Sequence, residues 1–131
     1  MTLVLLLGIA GLVLAGALWL LSQPAQPSDD DILARFDAID GFTVTERHAH
    51  DGSGLAADET RGRIAVLGKG RPQMVLLGPR DLGAWHYLPK DGAFEMELTS
   101  RRHPQPFIVS FRRSATADEW IKILKKTAEG R

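Results

Sequence analysis

Residues 3–21 read LVLLLGIAGLVLAGALWLL, with no charge, no proline and no strongly polar side chain. At about 1.5 Å per residue the run makes a helix of roughly 28 Å, close to the ~30 Å hydrocarbon thickness of a bilayer. A chain inside that layer satisfies its own backbone polar groups only as a helix. The run therefore predicts a single-pass anchor over residues 1–22, inserted in a cell membrane. Trp19 lies near its exit, where an amphipathic ring favours the interface. Ser22-Gln23-Pro24 stops the helix and opens a polar linker over residues 23–28.

A cleaved signal peptide is the competing reading. Met1-Thr2 supplies no Lys or Arg, and the apolar run exceeds the 7–15 residues typical of such signals. Gly11 and Ala15, with Gly8 one turn earlier, form a small-xxx-small pattern that allows close approach of two helices and a weak anchor-mediated homodimer. The plainer reading is that glycine and alanine are common in membrane helices. The first basic residue after the run is Arg35, so the positive-inside rule leaves the side of the following domain open.

The remainder, residues 29–131, has the size of one domain. Lys+Arg and Asp+Glu are both 16 in the 131-residue chain, and this balance gives nucleic acid no basic footprint. The absence of cysteine removes disulfides, thiol catalysis and thiolate zinc sites.

Ser28 followed by Asp29-Asp30-Asp31 has the form of a helix start, with a capping hydroxyl and acids opposing the dipole. Ile32, Phe36 and Ile39 recur at helical spacing and predict a short amphipathic helix over residues 29–39, ended near Gly41. From Phe42 the period changes to two. Seven strands are expected: from Phe42 through His48, then residues 55–58, 63–67, 74–77, 83–88, the alternating run from Phe94 through Leu98, and 107–111. Asp51-Gly52 marks a hairpin, and Gly68-Lys69-Gly70 and Pro89-Lys90-Asp91-Gly92 mark further turns. A last helix follows, with Thr116 and Glu119 as a capping box and Gly130 as terminator. Ala117, Trp120, Ile121, Leu124 and Ala128 share one face of it. The expected class is α+β, mainly β: an antiparallel barrel whose open end is covered by Trp120 and Leu124.

Seven strands and then a helix with a central tryptophan, carried by the stretch FRRSATADEWIKIL over residues 111–124, resemble the pleckstrin-homology-like (PH-like) superfold. The likeness runs from about Phe42 to Gly130. The whole chain is similar to small membrane-anchored bacterial proteins of unassigned function. The resemblance implies a binding or scaffold module, since that fold hosts lipid binders, peptide binders and scaffolds alike. Its lipid-binding members carry basic residues on the first two strands and the loop between them. Here that loop, His50-Asp51-Gly52-Ser53, has no Lys or Arg, and Arg47 and Arg61 lie outside it. The departure argues against a phosphoinositide-type site.

Few residues carry chemistry. His48 and His50 share a strand face and are the one metal candidate, with His86 or His103 as further ligands; ordinary histidines at a strand end are the plainer reading. Asp58 and Glu59 are adjacent, so a strand points them to opposite faces and they read as turn acids rather than an acid–base pair. Ser53 lies between glycines but lacks the G-x-S-x-G order. Gly68-Lys69-Gly70 lacks a P-loop's spacing. No catalytic residue and no cofactor signature emerge. Arg101-Arg102-His103 and Arg112-Arg113 flank the last strand, and with Lys122, Lys125 and Lys126 they form either a patch for anionic headgroups or a solvated rim. Trp85 and Tyr87 share one strand face, as core or as the wall of a peptide groove. The expectation is a membrane-tethered, non-catalytic module that binds a protein partner. Peripheral headgroup contact is the alternative, and a hydrolase or metal enzyme the second alternative.

Overall fold

The computed structural model describes residues 26–90 and 93–129. The anchor expected over residues 3–21, the tip of the 89–92 turn and the Gly130 terminator lie outside the described residues. Among the described residues no helix is long and apolar enough to cross a membrane.

Helix α1, Asp29–Asp37, starts as its sequence dictates. The Ser28 hydroxyl accepts the Asp31 N–H at 3.2 Å, and three aspartates occupy the first turn. Ile32 and Phe36, one turn apart, are fully buried. The helix ends two residues before Ile39, because the Ala38 N–H already closes the last turn on the carbonyls of Ala34 and Arg35.

Seven strands follow: β1 Glu46–His50, β2 Ser53–Asp58, β3 Arg63–Leu67, β4 Val75–Leu77, β5 Leu82–Lys90, β6 Ala93–Ser100 and β7 Phe107–Phe111. β1-β2-β3-β4 form one antiparallel sheet and β5-β6-β7 another. Asp51 and Gly52, with φ of 50° and 74°, make the tight two-residue turn expected between β1 and β2. β1 starts later than its alternation suggests. Phe42 and Val44 precede the strand and pack beside α1, while the Thr45 N–H reaches the Ala57 carbonyl at 2.8 Å.

The expected barrel does not close: among the described residues no strand ladder joins the two sheets. Side chains and one loop amide take the place of a ladder. In β7, Phe107, Val109 and Phe111 alternate with Ile108 and Ser110, whose backbone groups face away from β6. The Ser110 N–H donates to Ser53 Oγ at 2.8 Å, and His48 Nε2–H donates to the Ser110 carbonyl at 2.8 Å. The Lys69 N–H donates to the Ile108 carbonyl at 2.8 Å. Both Ser110 backbone groups and the Ile108 carbonyl are thus engaged on the outer edge of β7 without a neighbouring strand.

Two apolar clusters result. The main one lies between the sheets and helix α2, Ser114–Glu129, and holds Leu55, Ile64, Leu98, Phe107, Phe111 and Trp120. The second lies on the other face of β2 and β3, where Ala56 and Ala65 leave room for Ile32 and Phe36 of α1. All six residues of β2 are therefore buried. Gly54 marks the closest approach: a Cβ there would sit 2.7 Å from Ile32 Cγ2, 2.8 Å from the His48 carbonyl and 2.9 Å from Phe36 Cε2. Gly54→Ala is expected to cost about 2–3 kcal/mol by overpacking. Urea denaturation followed by circular dichroism checks this; a loss no larger than that of an exposed-site control means α1 sits farther from the sheet.

α2 begins at Ser114, two residues before the expected cap, with the Ala117 N–H on the Arg113 carbonyl at 3.3 Å. Thr116 is inside the first turn, so the Thr116–Glu119 capping box does not form. The expected apolar face is otherwise present. Ala117, Trp120, Leu124 and Thr127 are buried, and Ile121 and Ala128 lie half-buried beside them.

Candidate functional site

The two ends of α2 border different places, and the sequence-derived residues divide between them. His48, His50, Arg112, Arg113, Thr116 and Asp29 line one open recess of about 370 Å³. β1 brings both histidines there, just before the Asp51-Gly52 turn, and the β7–α2 connection brings the arginines. His48 is partly buried, stacked on Phe111 with ring centroids 4.4 Å apart and planes 13° apart. Its Nε2 is engaged by the Ser110 carbonyl. Burial lowers its pKa below the usual 6.5; the Ser110 bond opposes this, His50 adds to it and Asp29 opposes it.

The folded state thus favours neutral His48, while the unfolded chain takes up the proton first as pH falls. The stability this represents is complete above pH 6.5 and is lost as pH falls from there through the lower folded value. A wild-type denaturation series between pH 7.5 and 5 is expected to show this decline, and His48→Phe a flatter one. Equal slopes for the two proteins refute it.

His86 is on β5 and His103 beside Phe107, at the opposite end of β7 from His48, so the expected extra metal ligands do not join the pair. Among the described residues no three His, Asp or Glu side chains converge. The basic pairs are separated as well. Arg101-Arg102 precede β7 and Arg112-Arg113 follow it, with a five-residue strand between them, roughly 17 Å long. Arg102 lies 3.8 Å from Asp81, whereas Arg112 and Arg113 have no ion-pair partner among the described residues. Lys125 and Lys126 border separate depressions, and Lys122 is exposed.

At the other end of α2, Trp85 faces Lys125, Ala128 and Glu129 across an open groove of about 420 Å³. Trp85 and Tyr87 are half-buried against the main core, and His86 between them is exposed. Tyr87 packs on Phe94 at 5.6 Å, and its buried hydroxyl has no hydrogen-bond partner among the described residues. Burial, and then the Asp118 carboxylate, push its pKa up. β5 is the outermost strand of its sheet, nine residues long. In the ladder, Ala84, His86 and Leu88 turn their backbone groups toward β6, which leaves those of Trp85 and Tyr87 on the free edge. Pro89 follows in the same outward series and has no N–H, so it ends the run of donors.

The remaining polar clusters bond within the fold. Asp58 is fully buried; burial alone raises its pKa, but the Thr43 N–H, the Arg61 guanidinium and the Arg61 N–H together hold it below the usual value. Exposed Glu59 points elsewhere. Ser53 is buried and donates to the His50 carbonyl at 2.8 Å. Lys69 lies 2.7 Å from Asp51 and 3.4 Å from Glu95, whose carboxylate also accepts the Ser110 hydroxyl. Sequence reasoning missed this joint between the sheets, because its members are scattered from position 48 to position 110.

Comparison with known protein families, with curated proteins and with solved structures finds no match to this chain.

Proposed function

We propose that this chain is a non-catalytic binding module, tethered to a membrane by residues 3–21, which takes an extended segment of a protein partner along the free edge of β5. Its two sheets and crossing C-terminal helix are read as an open PH-like layout. The observation that carries the reading is the groove at Trp85. A long strand with an unpaired edge lies beside a half-buried aromatic side chain and the last turns of α2. Added strands gain affinity from main-chain hydrogen bonds and specificity from pockets for alternate side chains. β4 also has a free edge, but its three residues offer too short a ladder.

The test places a photo-activatable residue at Leu88 on β5 or at Leu76 on β4, both exposed, in the full chain in native membranes. Adducts are expected at Leu88 and not at Leu76. Trp85→Ala should weaken capture about 30-fold, the cost of about 2 kcal/mol typical of an aromatic anchor. Equal capture from both strands, or capture indifferent to Trp85→Ala, refutes the groove.

A further inference from the structure

α2 and β2 both run between two ends of the domain. Thr116 of α2 borders the recess beside His48 and His50, whereas Lys126 and Thr127 border a depression at Glu59, Thr60, Arg61 and Gly62, in the β2–β3 turn. Ten helical residues, or the six of β2, place these ends about 15–20 Å apart. The chain enters the domain at the first end. Gln26 Nε2 donates to Asp51 Oδ1 at 3.1 Å, and its side chain lies so close over Gly52 that a Cβ there would be 2.6 Å from Gln26 Cγ. Ser28 then caps α1, so the entry is held on both sides of Pro27. Five residues lead from Leu21 to Gln26, a reach of at most about 18 Å.

We propose that the β1–β2 and β7–α2 turns form the bilayer-facing surface of the domain, with Arg112 and Arg113 on the phosphate layer of the membrane that holds residues 3–21. The inference rests on the tether reading given above. Both arginines are exposed and have no ion-pair partner among the described residues, and a guanidinium fork matches phosphate oxygens. Asp29 shares their recess, and Asp30 and Asp31 follow it. A surface bearing both signs suits zwitterionic headgroups, so the contact sets orientation and demands no excess of anionic lipid. The groove at Trp85 borders the last turn of α2, at the far end, and is thereby turned from the bilayer toward a partner.

The experiment uses the full chain in nanodiscs of phosphatidylcholine doped with a headgroup-chelated gadolinium lipid. Amide signals are read after gel filtration confirms co-elution. Residues 49–52 and 112–114 are expected to lose most of their intensity, and residues 59–62 and 80–81 to keep theirs. Arg112→Gln with Arg113→Gln should flatten that gradient without altering the spectrum of the core. Co-elution with equal attenuation at both ends, or with the reverse gradient, overturns the orientation and leaves the tether standing. An unchanged gradient in the double variant overturns the role given to the arginines. A chain that elutes apart from the discs removes the tether, and this inference with it.

Discussion

Trp120→Ala is expected to lower stability by about 3–5 kcal/mol, a large part of the 5–15 kcal/mol that holds a small domain folded. Trp120 is 3 % exposed and sits in the main cluster with Phe107, Phe111 and Leu124. Among the described residues the sheets have no ladder between them, so α2 is one of the few elements that touch both. It contacts β3 of the first sheet and β6 and β7 of the second. Truncation removes the large ring and leaves a cavity that β3 and β7 cannot close without breaking their own pairings. Denaturation of the full chain, followed by far-ultraviolet circular dichroism, measures the loss. A change below about 0.5 kcal/mol, the range of surface substitutions, would place Trp120 outside the core.

Asp58→Ala is expected to cost about 2–4 kcal/mol. Its buried carboxylate accepts the Thr43 N–H at 3.0 Å, the Arg61 N–H at 3.2 Å and Arg61 Nη1 at 3.1 Å, with Arg63 Nη2 at 4.0 Å. Losing one partner of a buried pair costs about 3–5 kcal/mol. The figure here is smaller because the Arg61 side chain is half exposed and regains water. Asp58→Asn keeps an acceptor for the amides and is expected to lose about half as much. The acid side of the stability profile checks the assignment. A carboxyl held below its ordinary 3.8 stabilises the fold fully above that value and ceases to as pH falls through the folded value. Wild type should therefore lose stability below about pH 4 more steeply than Asp58→Asn. Equal slopes would show that Asp58 is not ionised in its buried place.

Much of the local structure was legible. Ser28 with three aspartates, Asp51-Gly52, and the alternation of Phe94, Met96 and Leu98 each act within a few residues, and each element formed where the pattern placed it. The errors have the same scale. β1 begins at Glu46 because Phe42 and Val44 are drawn to α1, and α2 begins at Ser114 because the Arg113 carbonyl opens the helix before Thr116 can cap it. The candidate sites were legible only as residue types. His48, His50, Arg112 and Arg113 meet in one recess, but no spacing could show that β7 runs beside β1. Trp85 and Tyr87 were placed on one face, yet the α2 residues that complete the groove lie some forty positions on.

Period, turn chemistry and capping act over one to four residues, so the amino-acid order alone determined the class, the seven strands and the apolar stripe of α2. Which edges stay unpaired was decided only by tertiary structure. Ser53, His48 and the Lys69 amide engage β7 from outside, while the outer edge of β5 has no strand beside it among the described residues. That choice depends on burial and hydrogen bonding among residues up to 62 positions apart, and such distances carry no signature in a single sequence.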